Sequence, residues 1–265
     1  MNSLTVISHI YNEEYLLPYW LEHHSNFFKN GIIIDYMSTD NSLDIIRKKC
    51  PHWKIITTKN IIDNKPNFEA SKIDNEVQEI EKTINGYKIC LNTTEFLFFD
   101  IDRINIFDQL EKNCFRIKTF IGLSKNDYLI PKNYEEFIKN IELITENHDR
   151  GNRFIHNYEF GKYTIGRHNI NNPSVNVFPN IFIFHVANYN LNEHFVKRRM
   201  QIQNNIPIQD KIVGNGYQHF MNSKNDIEIF RNNYKMTTTD IELDKEICDI
   251  INKNIIFNQN LHILS

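Results

Sequence analysis

The residues in this chain best suited to chemistry lie in four polar clusters, each at the end of an apolar run. Tyr11-Asn12-Glu13-Glu14 follows Leu4–Ile10, and Asp35-x-x-Ser38-Thr39-Asp40-x-Ser42 closes on Ile32-Ile33-Ile34. Their carboxylates and hydroxyls can accept hydrogen bonds from a ligand, or they can cap a turn and the helix after it. The run Tyr87–Leu91 leads into Asn92-Thr93-Thr94-Glu95, and Asp100-Ile101-Asp102 follows at the far end of Phe96-Leu97-Phe98-Phe99. Hard divalent cations prefer anionic oxygens. The second of these tips offers two carboxylates and the first only one. His168 and His185 complete the set of candidates. No HxxxH or HExxH pattern accompanies them, so a zinc enzyme is not expected.

The elements that must position these clusters follow from periodicity. Leu4–Ile10 is short and β-branched, as a buried parallel strand is. A helix is expected from Leu17, with Pro18 in its first turn and Trp20, Leu21 and Phe27 on its apolar face. Strands are expected at Ile32–Asp35, Trp53–Thr57 and Tyr87–Leu91, with helices between them at Leu43–Lys49 and Phe68–Ile84. Alternating strands and helices favour a parallel sheet with helices packed on it. Right-handed crossovers bring the carboxyl ends of the strands to one edge, where open α/β sheets bind ligands. Residues 9–14, 35–41 and 92–95 all fall on that edge. The second half is less regular. Strands are expected at Phe115–Ile121, Tyr163–Gly166 and Val177–Val186, helices at Tyr134–Glu146 and Glu193–Gln203, and a loop at Asn169–Asn180. The Lys197-Arg198-Arg199 run reads as a solvated helix face, and His185 as a core histidine.

Composition limits the classes. A chain of 265 residues builds one large domain or one with a small appendage. A mean hydropathy of -0.48 and the absence of any run of roughly 18 apolar residues argue against a membrane span. The net charge of -3 gives no general attraction to nucleic acid. Cys50, Cys90, Cys114 and Cys248 are irregularly spaced, as reduced thiols in a cytosolic protein are. The N-terminus lacks a basic stretch followed by a long apolar one, so a cytoplasmic location is expected.

Taken in order, these motifs resemble the GT-A-fold glycosyltransferases, and within them the family-two-like group that includes the DUF23-type enzymes. The resemblance rests first on Tyr11-Asn12-Glu13 and on Asp35-x-x-Ser38-Thr39-Asp40-x-Ser42. Glu95-Phe96-Leu97-Phe98 matches the end of a family stretch written W-hydrophobic-D-x-D-E-F-L-F, and Arg153-Phe-Ile-His with Thr164-Ile-Gly-Arg-His168 resembles an element ending in G-x-H. Phe184-His185 and Asn192-Glu193-His194-Phe195-x-Lys197-Arg198 resemble a later stretch ending in K-R, so the matches span roughly residues 4 to 200. The resemblance implies an α/β, GT-A-like, mostly parallel sheet flanked by helices. Residues 1–205 would form this domain, with 206–265 a small helical extension packed on it. It also implies transfer of a sugar, with inversion, from a nucleotide donor (a UDP-sugar) to a glycan or glycolipid hydroxyl. His9, Tyr11, Asn12, Glu13, Asp35 and Ser38 would then form the nucleotide pocket, with Lys72 and Asn75 beside it. Asp35 would accept from a base N–H or a ribose hydroxyl. Asn92 and Thr94 would face the diphosphate, His168 would be a third metal ligand or a phosphate contact, and Asp127 or Glu95 would be the base.

The departure is at the metal motif. The family's D-x-D carboxylates hold Mn2+ or Mg2+, whereas Asn92 and Thr94 offer neutral oxygens. Three readings follow. Sugar transfer can proceed without a metal, with Lys72, Asn75, Arg167 or Lys197 on the phosphates. Asp100 and Asp102 can supply the metal site from a shifted register, although Glu95-Phe96-Leu97-Phe98 keeps the family phase at 92–95. Or the chain is a non-catalytic nucleotide- or sugar-binding relative that serves as a partner subunit. A nucleotidyltransferase trails these, because no Gly-rich phosphate loop is present.

Overall fold

The computed structural model describes residues 4–100, 114–146, 152–171, 175–216, 219–221, 223–236, 238–240 and 245–263. The first half is a β/α alternation: β1 (Thr5–Ile10), α1 (Leu17–His24), β2 (Asn30–Asp35), α2 (Ser42–Lys49), β3 (Lys54–Thr57), a hairpin of β4 (Ile61–Ile62) and β5 (Lys65–Pro66), α3 (Ala70–Glu81), β6 (Lys88–Cys90) and β7 (Glu95–Phe99). β3, β2, β1 and β6 are parallel neighbours in that order. Alternation along β1 divides the core. Val6 and Ile10 pack with Leu17, Trp20 and Leu21 of α1, whereas Ile7 joins Ile34, Cys90 and Val77 of α3 on the other face. Gly31 is required by packing, since a Cβ there would lie 2.1 Å from the Trp53 ring.

The second half extends the sheet with β8 (Cys114–Leu123), α4 (Tyr134–Lys139), β9 (Leu143–Glu146), β10 (Arg153–His156) and β11 (Val175–His185). Next come α5 (Glu193–Met200), α6 (Ile208–Val213), α7 (Lys224–Lys235), β12 (Thr239–Asp240) and α8 (Lys245–Ile263). β10 joins β6 to β8 in antiparallel fashion, β9 pairs β8 and β12, and β11 runs parallel to β8. The result is the α/β class expected, with helices flanking one large sheet.

Three second-half expectations are corrected. The helix from Tyr134 stops at Lys139, and Leu143–Glu146 is a strand because it pairs with Phe120–Leu123 of β8. Tyr163–Gly166 is not a strand, since Gly166 (φ 81°) and Arg167 (φ 60°) turn the chain into a short 3-10 helix. The loop expected to Asn180 gives way to β11 from Val175. Asp102 lies outside the described residues.

β7 hydrogen-bonds to a neighbouring strand, β11, on one edge among the described residues. Side chains finish its other edge. Trp20 Nε1 donates to Glu95 O at 3.0 Å, His23 bonds Leu97 O at 2.7 Å, and Leu97 N–H donates to His24 Nε2 at 3.2 Å. Asn254 Nδ2 of α8 donates to Phe99 O at 2.7 Å. Positions i, i+3 and i+4 of α1 therefore replace a strand's worth of backbone partners, which a buried edge must find somewhere. His24 must be neutral for this, because its Nε2 accepts from Leu97 N–H while its Nδ1 donates to Trp20 O. Burial pushes the His23 imidazole down to about 3 and holds His24 well below its ordinary value.

An unfolded imidazole titrates near ~6.5. Below that pH the unfolded chain binds more protons than the folded one, so stability falls as pH drops from about 6.5 towards 3. Thermal unfolding from pH 7 to pH 4 should show this decline. His24→Ala should cost about 1–3 kcal/mol by stranding the Leu97 N–H, and should shallow the pH slope. An unchanged slope would remove the histidine edge as its cause.

Candidate active site

The carboxyl ends of β1, β2 and β6 converge on one edge, and two of their loops are laced together. Asn12 N–H donates to Ser38 Oγ (3.0 Å), Glu13 N–H to Ser42 Oγ (2.8 Å) and Glu14 N–H to Asp40 Oδ2 (2.9 Å). Asn12 Oδ1 accepts from Thr39 N–H at 2.7 Å. Asp35 is buried, and its Oδ1 accepts from Ser38 N–H at 3.0 Å. The sequence-matched motifs are thus one structure. Tyr11 packs edge-on against Phe68, and Gln201 donates to Tyr11 O and Asn12 O. Asn12 (φ 52°), Met37 (φ 63°) and Arg167 (φ 60°) hold left-handed backbone here, each at a cost of about 1–3 kcal/mol. Strain of this kind gathers where loop shape matters more than stability.

The 92–95 tip is built around guanidinium groups. Glu95 is buried and takes a two-pronged contact from Arg153, Nε to Oε2 at 2.9 Å and Nη2 to Oε1 at 2.6 Å. The same carboxylate accepts from Asn92 N–H (2.9 Å) and Asn92 Nδ2 (3.2 Å). Asn92 Oδ1 accepts from Arg167 Nη2 at 3.2 Å, while Arg167 Nη1 pairs with Asp74 at 2.5 Å. Arg198 grips Glu13 with two bonds of 2.5 and 2.7 Å and reaches Thr93 Oγ1 at 3.3 Å. Burial raises the Glu95 carboxyl, but Arg153, His185 and the Asn92 N–H outweigh it and hold the group below the usual carboxylate range.

These contacts decide how a divalent cation would fit. Asn92 Oδ1 and Thr93 Oγ1 already accept from guanidinium groups, and both Glu95 oxygens are engaged. Arg153 Nη1 donates to His168 Nδ1 at 3.1 Å, leaving Nε2 as an N–H donor, the tautomer suited to an anion. Burial and Arg153 press His168 down to about 3, so the ring is neutral. Among the described residues no group of three His, Cys, Asp or Glu side chains is arranged to hold a metal ion. The tip does not fit Mn2+ or Mg2+.

Other expected site residues lie elsewhere. Asp100 is at the opposite end of β7 from Glu95, 3.4 Å from Lys253 of α8. Asp127 is held by Arg231 (2.6 Å) and Lys235 (3.2 Å) of α7, apart from the Glu95 network. On α3 the residue that meets Arg167 is buried Asp74. Asn75 is exposed and Lys72 pairs with Glu69 at 2.8 Å. Arg198 and Arg199 are buried, which corrects the solvated-face reading, and only Lys197 of that run is exposed. His185 is half-buried at the edge, cross-strand from Glu95, rather than in the core. Asp74 is not marked by the sequence pattern, and Arg153 is marked only as part of a motif, without its partner. The spacing of Arg153 and Gly166-Arg167-His168 was visible, but their convergence on Glu95 was not. Beside α5 an open groove of about 470 Å3 is lined by Tyr128, Ile130, Leu191, Val196, Lys197 and Lys224, among others.

No protein-family model matches the chain, and no curated protein matches it. Among solved structures it is similar to S. aureus TarS 1-349 in complex with UDP-GlcNAc (TM-score 0.33, 18% identity, 44% of this chain and 34% of that one). It is also similar to TarS 1-349 in a second crystal structure (TM-score 0.42, 12% identity, 77% and 65%) and to HddC from Yersinia pseudotuberculosis (TM-score 0.31, 14% identity, 59% and 77%). The chain thus spans about a third of one TarS chain and 65% of the other. Among the described residues no helix is long and apolar enough to cross a membrane.

A neutral residue at 92 is demanded by Glu95, because an aspartate there would set two carboxylates about 3.2 Å apart. Asn92→Asp with Thr94→Asp, which rebuilds D-x-D, should therefore lose about 1–3 kcal/mol of stability and gain no Mn2+ affinity. Denaturant titration and Mn2+ calorimetry check this. A stable variant with micromolar Mn2+ binding would contradict it.

Proposed function

We propose that this chain is a nucleotide-sugar-dependent glycosyltransferase of the family-two-like, DUF23-type group, in which guanidinium groups stand where a D-x-D motif holds a cation. The observation that carries this reading is the arrangement of the carboxyl edge. The Asp35–Ser38 turn, locked to Asn12 and Glu13, lies on the same edge as a tip contacted by Arg153, Arg167 and Arg198. Asp35 Oδ2 makes no hydrogen bond to the described protein and is the acceptor for a uracil N–H or a ribose hydroxyl. Guanidinium groups bind phosphate oxygens in pairs and need no proton or metal to do so. Aimed at the bond that breaks, they offset the charge developing on the leaving nucleoside diphosphate. His168 supplies an N–H to the same anion. The groove on α5 takes the acceptor glycan or glycolipid, lined by Tyr128, by Lys197 and by Lys224, whose ammonium lies 5.0 Å over the Tyr128 ring.

A second reading has its own support. Both base candidates, Glu95 and Asp127, are spent in ion pairs with arginines. A chain that binds nucleotide-sugar without transferring it, as a partner subunit, fits that observation.

Calorimetric titration with UDP, GDP and CMP, with EDTA or with Mn2+, tests the reading. UDP should bind most tightly, its affinity should change less than about twofold with Mn2+, and Asp35→Asn should weaken it at least about tenfold, since a charged acceptor bond is lost. Binding that requires Mn2+, or no nucleotide binding, would overturn the proposal. Release of UDP from UDP-sugars, with or without acceptor, separates the transferase from the binder.

A further inference from the structure

The lining of the groove beside α5 discriminates between a glycan and a lipid. Three parts of the chain build it: residues 128–130, α5 with Leu191 and Asn192 just ahead of it, and Lys224 at the start of α7. Its walls are held by bonds within the protein. Leu129 O accepts from Asn190 Nδ2 and from Asn192 Nδ2, both at 2.7 Å, and Leu191 N–H donates to Asp127 O at 2.6 Å. Leu191 is buried in a small core with Met221 and Ile227, and Val196 packs against it.

Polar groups that a sugar would use there are already engaged. Asn192 Nδ2 donates to Tyr15 Oη and Leu129 O, and its Oδ1 accepts from the N–H groups of His194 and Phe195. The Lys224 ammonium lies over the Tyr128 ring, 5.0 Å from its centroid, on a face where a sugar would otherwise stack. Hydroxyls pressed against Ile130, Leu191 and Val196 would lose water and gain no partner, whereas a hydrocarbon chain gains by burial there. The charges at the groove favour an anion. Lys197 and Lys224 are exposed, and neither forms an ion pair among the described residues. Glu193, the acid among the described lining residues, is 83% exposed and approaches His194 at 3.9 Å rather than either lysine.

We propose that this groove binds a lipid acceptor, with the hydrocarbon chain along Ile130, Leu191 and Val196 and the phosphate that joins the chain to its sugar on Lys197 and Lys224. That the lipid is an acceptor rests on the transferase reading; that the groove binds it does not. Arg198, next to Lys197 on α5, pairs with Glu13 and reaches Thr93 Oγ1, so one short helix links the groove to the tip. The proposal also gives the C-terminal sixty residues a role, since Lys224 belongs to them.

The test titrates the full chain with octyl, decyl and dodecyl phosphate, each below its micelle concentration. Dodecyl maltoside and maltohexaose serve as the neutral-lipid and glycan probes. Alkyl phosphates should saturate the chain, with affinity rising about two- to fourfold per added methylene. Replacing both exposed lysines (Lys197→Gln with Lys224→Gln) should weaken dodecyl phosphate about fivefold or more while leaving dodecyl maltoside unchanged. Carbon-13 methyl NMR of Ile130 in the unmutated chain places the ligand in the groove, so the test survives if the variant fails to fold. Absence of alkyl phosphate binding, equal affinity for dodecyl maltoside, or maltohexaose shifting the Ile130 methyl overturns the proposal. So does binding to anionic phospholipid vesicles without binding of monomeric alkyl phosphate, which makes this face a membrane contact. Alkyl phosphate binding without UDP binding keeps the lipid groove and removes the nucleotide-sugar reading. UDP binding without alkyl phosphate binding does the reverse.

Discussion

Glu95 is held at both ends, and the rest of the site follows from that. Its carbonyl is fixed by Trp20 and its carboxylate by Arg153 and Asn92. The first contact joins it to the buried face of α1, which also completes the open edge of β7 through His23 and His24. The second brings β10 and the 164–168 turn over the tip, because Arg153 continues to Gly166 O and His168. One side chain thus ties the core helix, the edge strand and two loops to one point. Removing a partner from such a buried pair strands a charge, at a typical cost of 3–5 kcal/mol.

The same arrangement explains why the tip is neutral. A carboxylate already sits beside residue 92, so the loop satisfies it with an amide, and the guanidinium groups occupy the directions a cation would need.

Much of the first half was legible because its information is local. Short β-branched runs alternate with helices, so parallel order and a carboxyl edge follow, and the motifs at Asn12, Asp35 and Asn92 fall on it. What was not legible depends on distant partners. Arg198 and Arg199 look like a solvated face until Glu13, 185 residues away from Arg198, is brought beneath the helix. Leu143–Glu146 reads as a continued helix until β8 offers it an edge. On α3 a shift of one position separated Asn75, expected inward, from Asp74, which binds Arg167. The α1 histidines look ordinary in sequence because their partners are backbone atoms of β7, which no side-chain pattern reveals.

In the proposed transferase, guanidinium groups and the His168 imidazole, not a metal ion, face the diphosphate at the 92–95 tip. A crystal structure of the chain grown with UDP and millimolar Mn2+ measures this most directly. Phosphate oxygens are expected within hydrogen-bond distance of Arg167 or Arg198, the base or ribose on Asp35, and no Mn2+ coordinated by the tip. A Mn2+ ion bridging the diphosphate to residues 92–95, or UDP bound away from Asp35, would contradict it.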